Sequence, residues 1–179
     1  MSDGSYSVGF LRAVNVGGRT VTKEQLCSIL EHPRLGTVST FLASGNVLFQ
    51  GPAGAPAEIE TLVEAALEAG LGYRVETFVR SLAEVAAMAA KPVFESGEGV
   101  AVHVGFLRAA PTAGALKVLK GLATPEDQLE ARGREIWWRR QGRISDSPLS
   151  TAAFGRALGQ PGTLRTLRTL QRLGDRYSS

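Results

Sequence analysis

The chain has 179 residues, of which 44% are hydrophobic and 21% charged, with a formal net charge of +3; this is the composition of a globular protein of one domain or two small ones, and it excludes extensive disorder. A lone cysteine, Cys27, excludes a disulfide framework and a four-cysteine zinc site, and suits a reducing compartment. The opening Met1-Ser2-Asp3-Gly4-Ser5 has neither the basic nor the apolar part of a secretion signal, and no window is long and apolar enough to span a bilayer, so a cytoplasmic protein is expected.

In chain order, Tyr6 to Ala13 reads as a strand with apolar residues on both alternating faces, which places it centrally in a sheet. The Gly-rich loop Asn15-Val16-Gly17-Gly18 follows. Thr22 with Gln25 forms a capping box for a helix carrying Leu26, Ile29 and Leu30, which Pro33 stops. Thr37–Leu42 and Asn46–Gln50 read as strands around an Ala43-Ser44-Gly45 turn. After a loop at Pro52-Ala53-Gly54-Ala55-Pro56, the residues Ile59, Leu62, Val63, Ala66 and Leu67 mark an amphipathic helix ending at Gly70. A strand over Tyr73–Val79 completes a βαββαβ order, the ferredoxin-like arrangement with two helices on one face of an antiparallel sheet.

Ser81 with Glu84 caps a linking helix that runs through Ala90 to Lys91-Pro92. The second part reads as a strand at Val100–Leu107, a helix at Ala113–Leu122, a hairpin over Gln128–Arg140, and helices near Leu149–Leu158 and Leu164–Leu173. Val8-Gly9-Phe10-Leu11-Arg12-Ala13 recurs letter for letter as Val104-Gly105-Phe106-Leu107-Arg108-Ala109. Ala43-Ser44-Gly45 before Val47-Leu48-Phe49 is likewise echoed by Ala131-Arg132-Gly133 before Ile136-Trp137-Trp138. The expected fold is therefore α+β, with two ferredoxin-like (βαββα-type) halves from an internal duplication. Antiparallel sheets carry helices on one face, with residues 1–80 forming the first half and 81–179 the second, which adds a basic C-terminal helix.

Leu11-Arg12-Ala13-Val14-Asn15-Val16-Gly17-Gly18, Val21, Leu26 and Ala43-Ser44-Gly45-Asn46-Val47-Leu48-Phe49 resemble the bacterial domain-of-unknown-function family 1697. That family opens with leucine-arginine-glycine-isoleucine-asparagine-valine-glycine-glycine and continues with glutamine-serine-glycine-asparagine-valine. The resemblance implies an α+β fold of two ferredoxin-like halves and supplies no activity. It is specific over the first 50 residues, and partly returns where Thr163-Leu164-Arg165-Thr166-Leu167-Arg168-Thr169 faces the family's threonine-x-arginine-asparagine-tryptophan-x-threonine. This chain has Ala13 for the family's glycine, Ala43 for its glutamine and Thr166-Leu167 for its asparagine-tryptophan. A task carried by the glutamine or by that pair would be lost or altered here.

No recognisable catalytic motif is present, and no cofactor is implied. Residues found in only one copy of the repeat are free to serve function. Arg12, Asn15, Gly17, Gly18, Arg19, Ser44 and Asn46 are candidate ligand-binding residues, and the Gly17 loop and the Ser44 turn share a site only if the register brings them to one rim: glycines allow close backbone approach to an anion, the loop leads toward a helix N-terminus, and arginine adds charge. The bland reading is a tight βα turn with Asn15 bonding local backbone, beside a hairpin turn. Arg12 recurs as Arg108, which favours a structural pairing with a carboxylate. His32 at a helix end and His103 within a strand have no ligand partners at metal spacing, and Glu60, Glu64 and Glu68 recur as on a solvated helix face.

The other candidate is basic. Residues 1–131 hold 10 Lys and Arg against 14 Asp and Glu, whereas 132–179 hold 10 against 3. On a helical wheel from Leu164, Arg165, Arg168 and Arg172 fall on one side and the leucines on the other; along the preceding strand one of Trp137 and Trp138 is core, and the other is either an exposed stacking platform or covered by the last helix or a partner subunit. Arg165, Arg168, Arg172 and Trp138 would then bind nucleic acid or another polyanion. The alternatives are an enzyme or sensor for a small phosphorylated or anionic ligand at the Asn15–Arg19 loop, and a self-assembling module that forms a homo-oligomer.

Overall fold

A computed structural model describes residues 6–51 and 54–178; the expectations for Met1–Ser5 and for the loop at Pro52-Ala53 lie outside them. The described elements are β1 (Tyr6–Leu11), α1 (Lys23–Ile29), β2 (Thr37–Phe41), β3 (Ala43–Gln50), α2 (Pro56–Leu71), β4 (Thr77–Ser81) and α3 (Leu82–Ala90), followed by β5 (Val100–Leu107), α4 (Ala113–Gly121), β6 (Asp127–Arg132), β7 (Glu135–Gln141), α5 (Thr151–Leu158), β8 (Gly162–Thr166) and α6 (Leu167–Ser178). The protein is α+β, with two four-stranded antiparallel sheets of order β2-β3-β1-β4 and β6-β7-β5-β8. It divides into two compact units, residues 1–86 with 173–179, and residues 87–172.

In the first unit, Leu11, Val47, Phe49 and Val79 project from one face of the sheet onto Leu26 and Leu30 of α1 and Ile59, Val63 and Leu67 of α2. In the second, Leu107, Ile136 and Trp138 meet Leu119 of α4 and Phe154 and Leu158 of α5. The opposite faces are buried too, through Val8, Phe10, Leu48 and Phe78 in one sheet and Val102, Val104, Phe106 and Trp137 in the other. The repeated strands are central in their sheets, as their two apolar faces require. Their glycines answer to packing, because a Cβ on Gly9 would stand 3.0 Å from the Phe49 ring and one on Gly105 3.2 Å from Leu164.

Several expectations shift. Leu164 opens no helix: Gly162–Thr166 pairs with β5, completing a β-α-β-β-α-β order in the second unit, and α6 starts at Leu167. The wheel drawn from Leu164 mistook the strand's exit for a helical turn. The strand expected over Tyr73–Val79 begins at Thr77, and α2 runs one residue past Gly70 before Gly72 ends it in the left-handed region. Ala43-Ser44-Gly45 opens β3; the chain reverses at Leu42 (φ 65°). With Phe10 opposite Asn46 and Phe106 opposite Glu135, Val47-Leu48-Phe49 does correspond to Ile136-Trp137-Trp138, and the two Ala-x-Gly triplets fall one residue out of step.

Of Glu60, Glu64 and Glu68 on α2, Glu68 is exposed as expected, but Glu60 and Glu64 do not face solvent. Glu76 O accepts from Arg12 N, which fixes Phe78 and Arg80 as the β4 residues bonded to β1 and turns the backbone of Thr77, Val79 and Ser81 outward. Those three N–H groups donate to Glu64 Oε1 (2.9 Å), Glu60 Oε1 (3.0 Å) and Glu84 Oε2 (2.8 Å). Glu60 is 3% exposed. A carboxylate every other residue thus closes the outer edge of β4.

Candidate functional site

The register sets the geography of the first unit. β1 ends at Leu11, opposite the start of β4 at Thr77, while Phe10 faces Asn46 near the start of β3. The Asn15–Arg19 loop therefore leaves the sheet at the same rim where Ser44–Asn46 enters it in β3. Asn15 Oδ1 accepts from Val21 N at 2.8 Å, Tyr73 Oη donates to Val14 O at 2.8 Å, and the Arg19 guanidinium lies 4.3 Å above the Tyr73 ring. Arg12 Nη1 meets Glu76 Oε2 at 2.9 Å, the structural pairing expected of it. Asn46, 5% exposed, donates from Nδ2 to Phe41 O at 3.1 Å, and Arg176 reaches 5.5 Å from the Phe41 ring.

Backbone strain gathers at this rim. Ala13 (φ 57°) and Leu42 (φ 65°) are, among the described residues, the non-glycine residues with positive φ, a conformation costing about 1–2 kcal/mol for an L side chain. Gly17 (φ 64°) and Gly18 (φ 78°) have nothing within 4 Å of a would-be Cβ, so backbone angle, not crowding, calls for glycine there. The loop does not deliver an open helix N-terminus. Thr22 Oγ1 accepts from Gln25 N and Gln25 Oε1 from Thr22 N, so the capping box occupies those donors itself.

The basic region is rearranged. Trp138 is fully buried, its ring packed on Phe154 and His103 and its Nε1 bonded to Asp127 Oδ1 at 2.9 Å. Trp137 is 2% exposed, so neither tryptophan is a stacking platform. Arg165 sits on β8, with Nη1 bonded to Thr163 Oγ1 and Leu164 O, both at 2.8 Å, and burial pulls its guanidinium down to about 10. It is withdrawn from the polyanion set. Arg168 and Arg172 keep their expected place, exposed on α6 while Leu167, Leu170 and Leu173 are buried.

Three features escaped the sequence reading. Asp127 is buried under donors from Trp138, Arg140 (2.9 Å), Thr124 N (3.0 Å) and Thr124 Oγ1 (2.9 Å); burial pushes its carboxyl up, and these bonds outweigh it and bring it down to about 2. Arg80, 1% exposed, is the register equivalent of Arg165 and likewise bonds the preceding carbonyl, Val79 O, at 2.9 Å. The signal was a second repeat, Val79-Arg80-Ser81-Leu82 against Leu164-Arg165-Thr166-Leu167. His32 Nδ1 accepts from Arg34 N at 3.1 Å. Among the described residues no cluster of His, Cys, Asp and Glu could hold a metal, and no helix is long and apolar enough to cross a membrane.

The family model described as "Protein of unknown function (DUF1697)" matches residues 5–137. The chain belongs to that family. A solved structure described as that of the conserved bacterial protein SP0830 from Streptococcus pneumoniae superposes with a TM-score of 0.70 at 17% identity, over 96% of this chain and 97% of that one. At that identity the likeness shows the fold alone. No curated protein matches the chain.

Proposed function

We propose that this DUF1697 protein is a cytoplasmic, non-catalytic binder of nucleic acid or another polyanion, and that its contact surface is the outer face of α6. The observation that carries this reading is the pair Arg168 and Arg172. They stand one turn apart, exposed, with no ion pair to a described residue, over a row of buried leucines. An arginine row held by a docked helix suits phosphates, which accept its planar donors and release counterions. Binding of single-stranded RNA and of duplex DNA should weaken steeply with salt. Changing Arg168→Glu together with Arg172→Glu should lower the slope of log K against log salt by about 2. Absent or salt-insensitive binding would overturn the reading.

A second reading, a site for a small phosphorylated or anionic ligand at the Asn15–Arg19 loop, draws support from the left-handed residues gathered at that rim. A thermal-shift screen of nucleotides and phosphometabolites, repeated on Gly17→Val, tests it: a stabiliser lost in the variant supports the site, and silence across the panel removes it.

We infer as well that the units are ferredoxin-like copies of one ancestral piece. Support comes from the matching strand orders, the repeated hexapeptide, and the exit of β4 and β8 directly into α3 and α6 through Ser81 and Thr166. On this reading each copy carries seven elements, and α3 and α6 are counterparts.

A further inference from the structure

The protein closes the outer edge of β4 with three carboxylates and leaves that of β6 open. Gln141 N donates to Glu126 O, so Gln128 and Glu130 are the β6 residues bonded to β7, and Leu129 and Ala131 turn their N–H and C=O groups away from the sheet. Those groups have no partner among the described residues. Beside them runs an open groove of ≈ 390 Å³ lined by Phe94, Lys120, Ala123, Leu129 and the neighbouring β6 residues. Its polar groups are mostly engaged. Asp127 is saturated by its donors and Glu130 is held by Arg132. Lys120 is exposed, with no ion pair to a described residue.

We propose that the edge of β6 docks an extended segment of a partner protein by strand addition, and that the segment carries an apolar side chain for the Phe94–Ala123–Leu129 groove with a carboxylate for Lys120. An added antiparallel strand would exchange hydrogen bonds with Leu129 and Ala131, the residues whose backbone faces out. Alternate side chains of that strand would point into the groove, where apolar walls take one residue and the ammonium selects an acid near it. The site lies wholly within the second unit, and its lining includes none of the arginines of α6.

The test is selection from a phage-displayed library of random linear peptides of about seven residues, roughly a strand length, followed by fluorescence anisotropy on the full-length chain. Ala131→Pro deletes an outward N–H without touching the β6–β7 ladder, and Lys120→Glu inverts the selecting charge. The enriched peptides should alternate apolar and acidic residues, and each variant should bind them at least ~10-fold more weakly, about one charge-assisted or backbone hydrogen bond, while the melting temperature stays near that of the parent. The proposal is overturned by failure to enrich any sequence, by enriched peptides that ignore Ala131→Pro in a folded variant, or by sedimentation showing a wild-type dimer that the proline variant dissociates. The last outcome would assign the edge to a second copy of the chain.

Discussion

Replacing Asp127 by asparagine tests the buried polar network of the second unit with almost no change of shape. The carboxylate side chain has no exposed surface and the Arg140 side chain is 7% exposed. Arg140 Nη1 and Trp138 Nε1 each donate to Oδ1 at 2.9 Å, and Arg140 Nε is spent on Arg143 O at 2.7 Å. Asparagine leaves the guanidinium buried beside a neutral amide whose NH2 competes with the donors. Removing one partner of a buried ion pair costs about 3–5 kcal/mol, which urea unfolding followed by circular dichroism at neutral pH would register. The pH dependence gives an independent check. The carboxyl titrates at about 2 when folded and near 3.9 when unfolded, so the unfolded chain binds the proton first. That contribution, about 2.5 kcal/mol, is complete above roughly pH 5 and is lost as pH falls through 4 toward 2. The difference in stability between the parent and Asp127→Asn should therefore shrink over that range. A loss below about 1 kcal/mol at neutral pH, or a difference that stays constant down to pH 2, would refute the reasoning.

Glu60→Leu should cost about 1–3 kcal/mol by stranding the N–H of Val79, measured by guanidinium unfolding; no loss would mean that water replaces the carboxylate. Ala13→Gly should stabilise by up to about 1 kcal/mol by relieving a left-handed alanine, seen as a higher melting temperature. His103, packed against Trp138, has its pKa lowered by burial. The folded state therefore resists protonation, and stability present above about pH 6.5 declines as pH falls below it. In His103→Gln that part of the pH dependence should vanish from melting curves taken between pH 5 and 8, and an unchanged profile would rule the residue out.

The sequence spoke most clearly where period and punctuation agreed. β1 and β5 were legible because apolar residues occupy both of their faces, although β1 stops at Leu11, short of the Ala13 expected, and α1 because Thr22 and Gln25 announce its start. β8 was missed because Thr163-Leu164-Arg165-Thr166 runs straight into Leu167, and the leucine–arginine spacing across the junction imitates a helix. The edge-closing glutamates were hidden for a related reason. A four-residue spacing describes a helix face, and whether that face meets water or the outward N–H groups of a strand is decided by tertiary packing. Alternation left Trp137 and Trp138 undecided because it separates the two faces of a strand but does not say that both are covered. Of the proposed ligand residues, only their shared rim could be tested by register.

The chain's two tryptophans, Trp137 and Trp138, are neighbours on β7. Intrinsic emission excited at the red edge therefore reports on residues 87–172 alone, and the first unit is optically silent to it. A melt watched by indole emission and again by far-ultraviolet dichroism would give coincident curves if both units lose structure in one step, and separated curves if one outlasts the other.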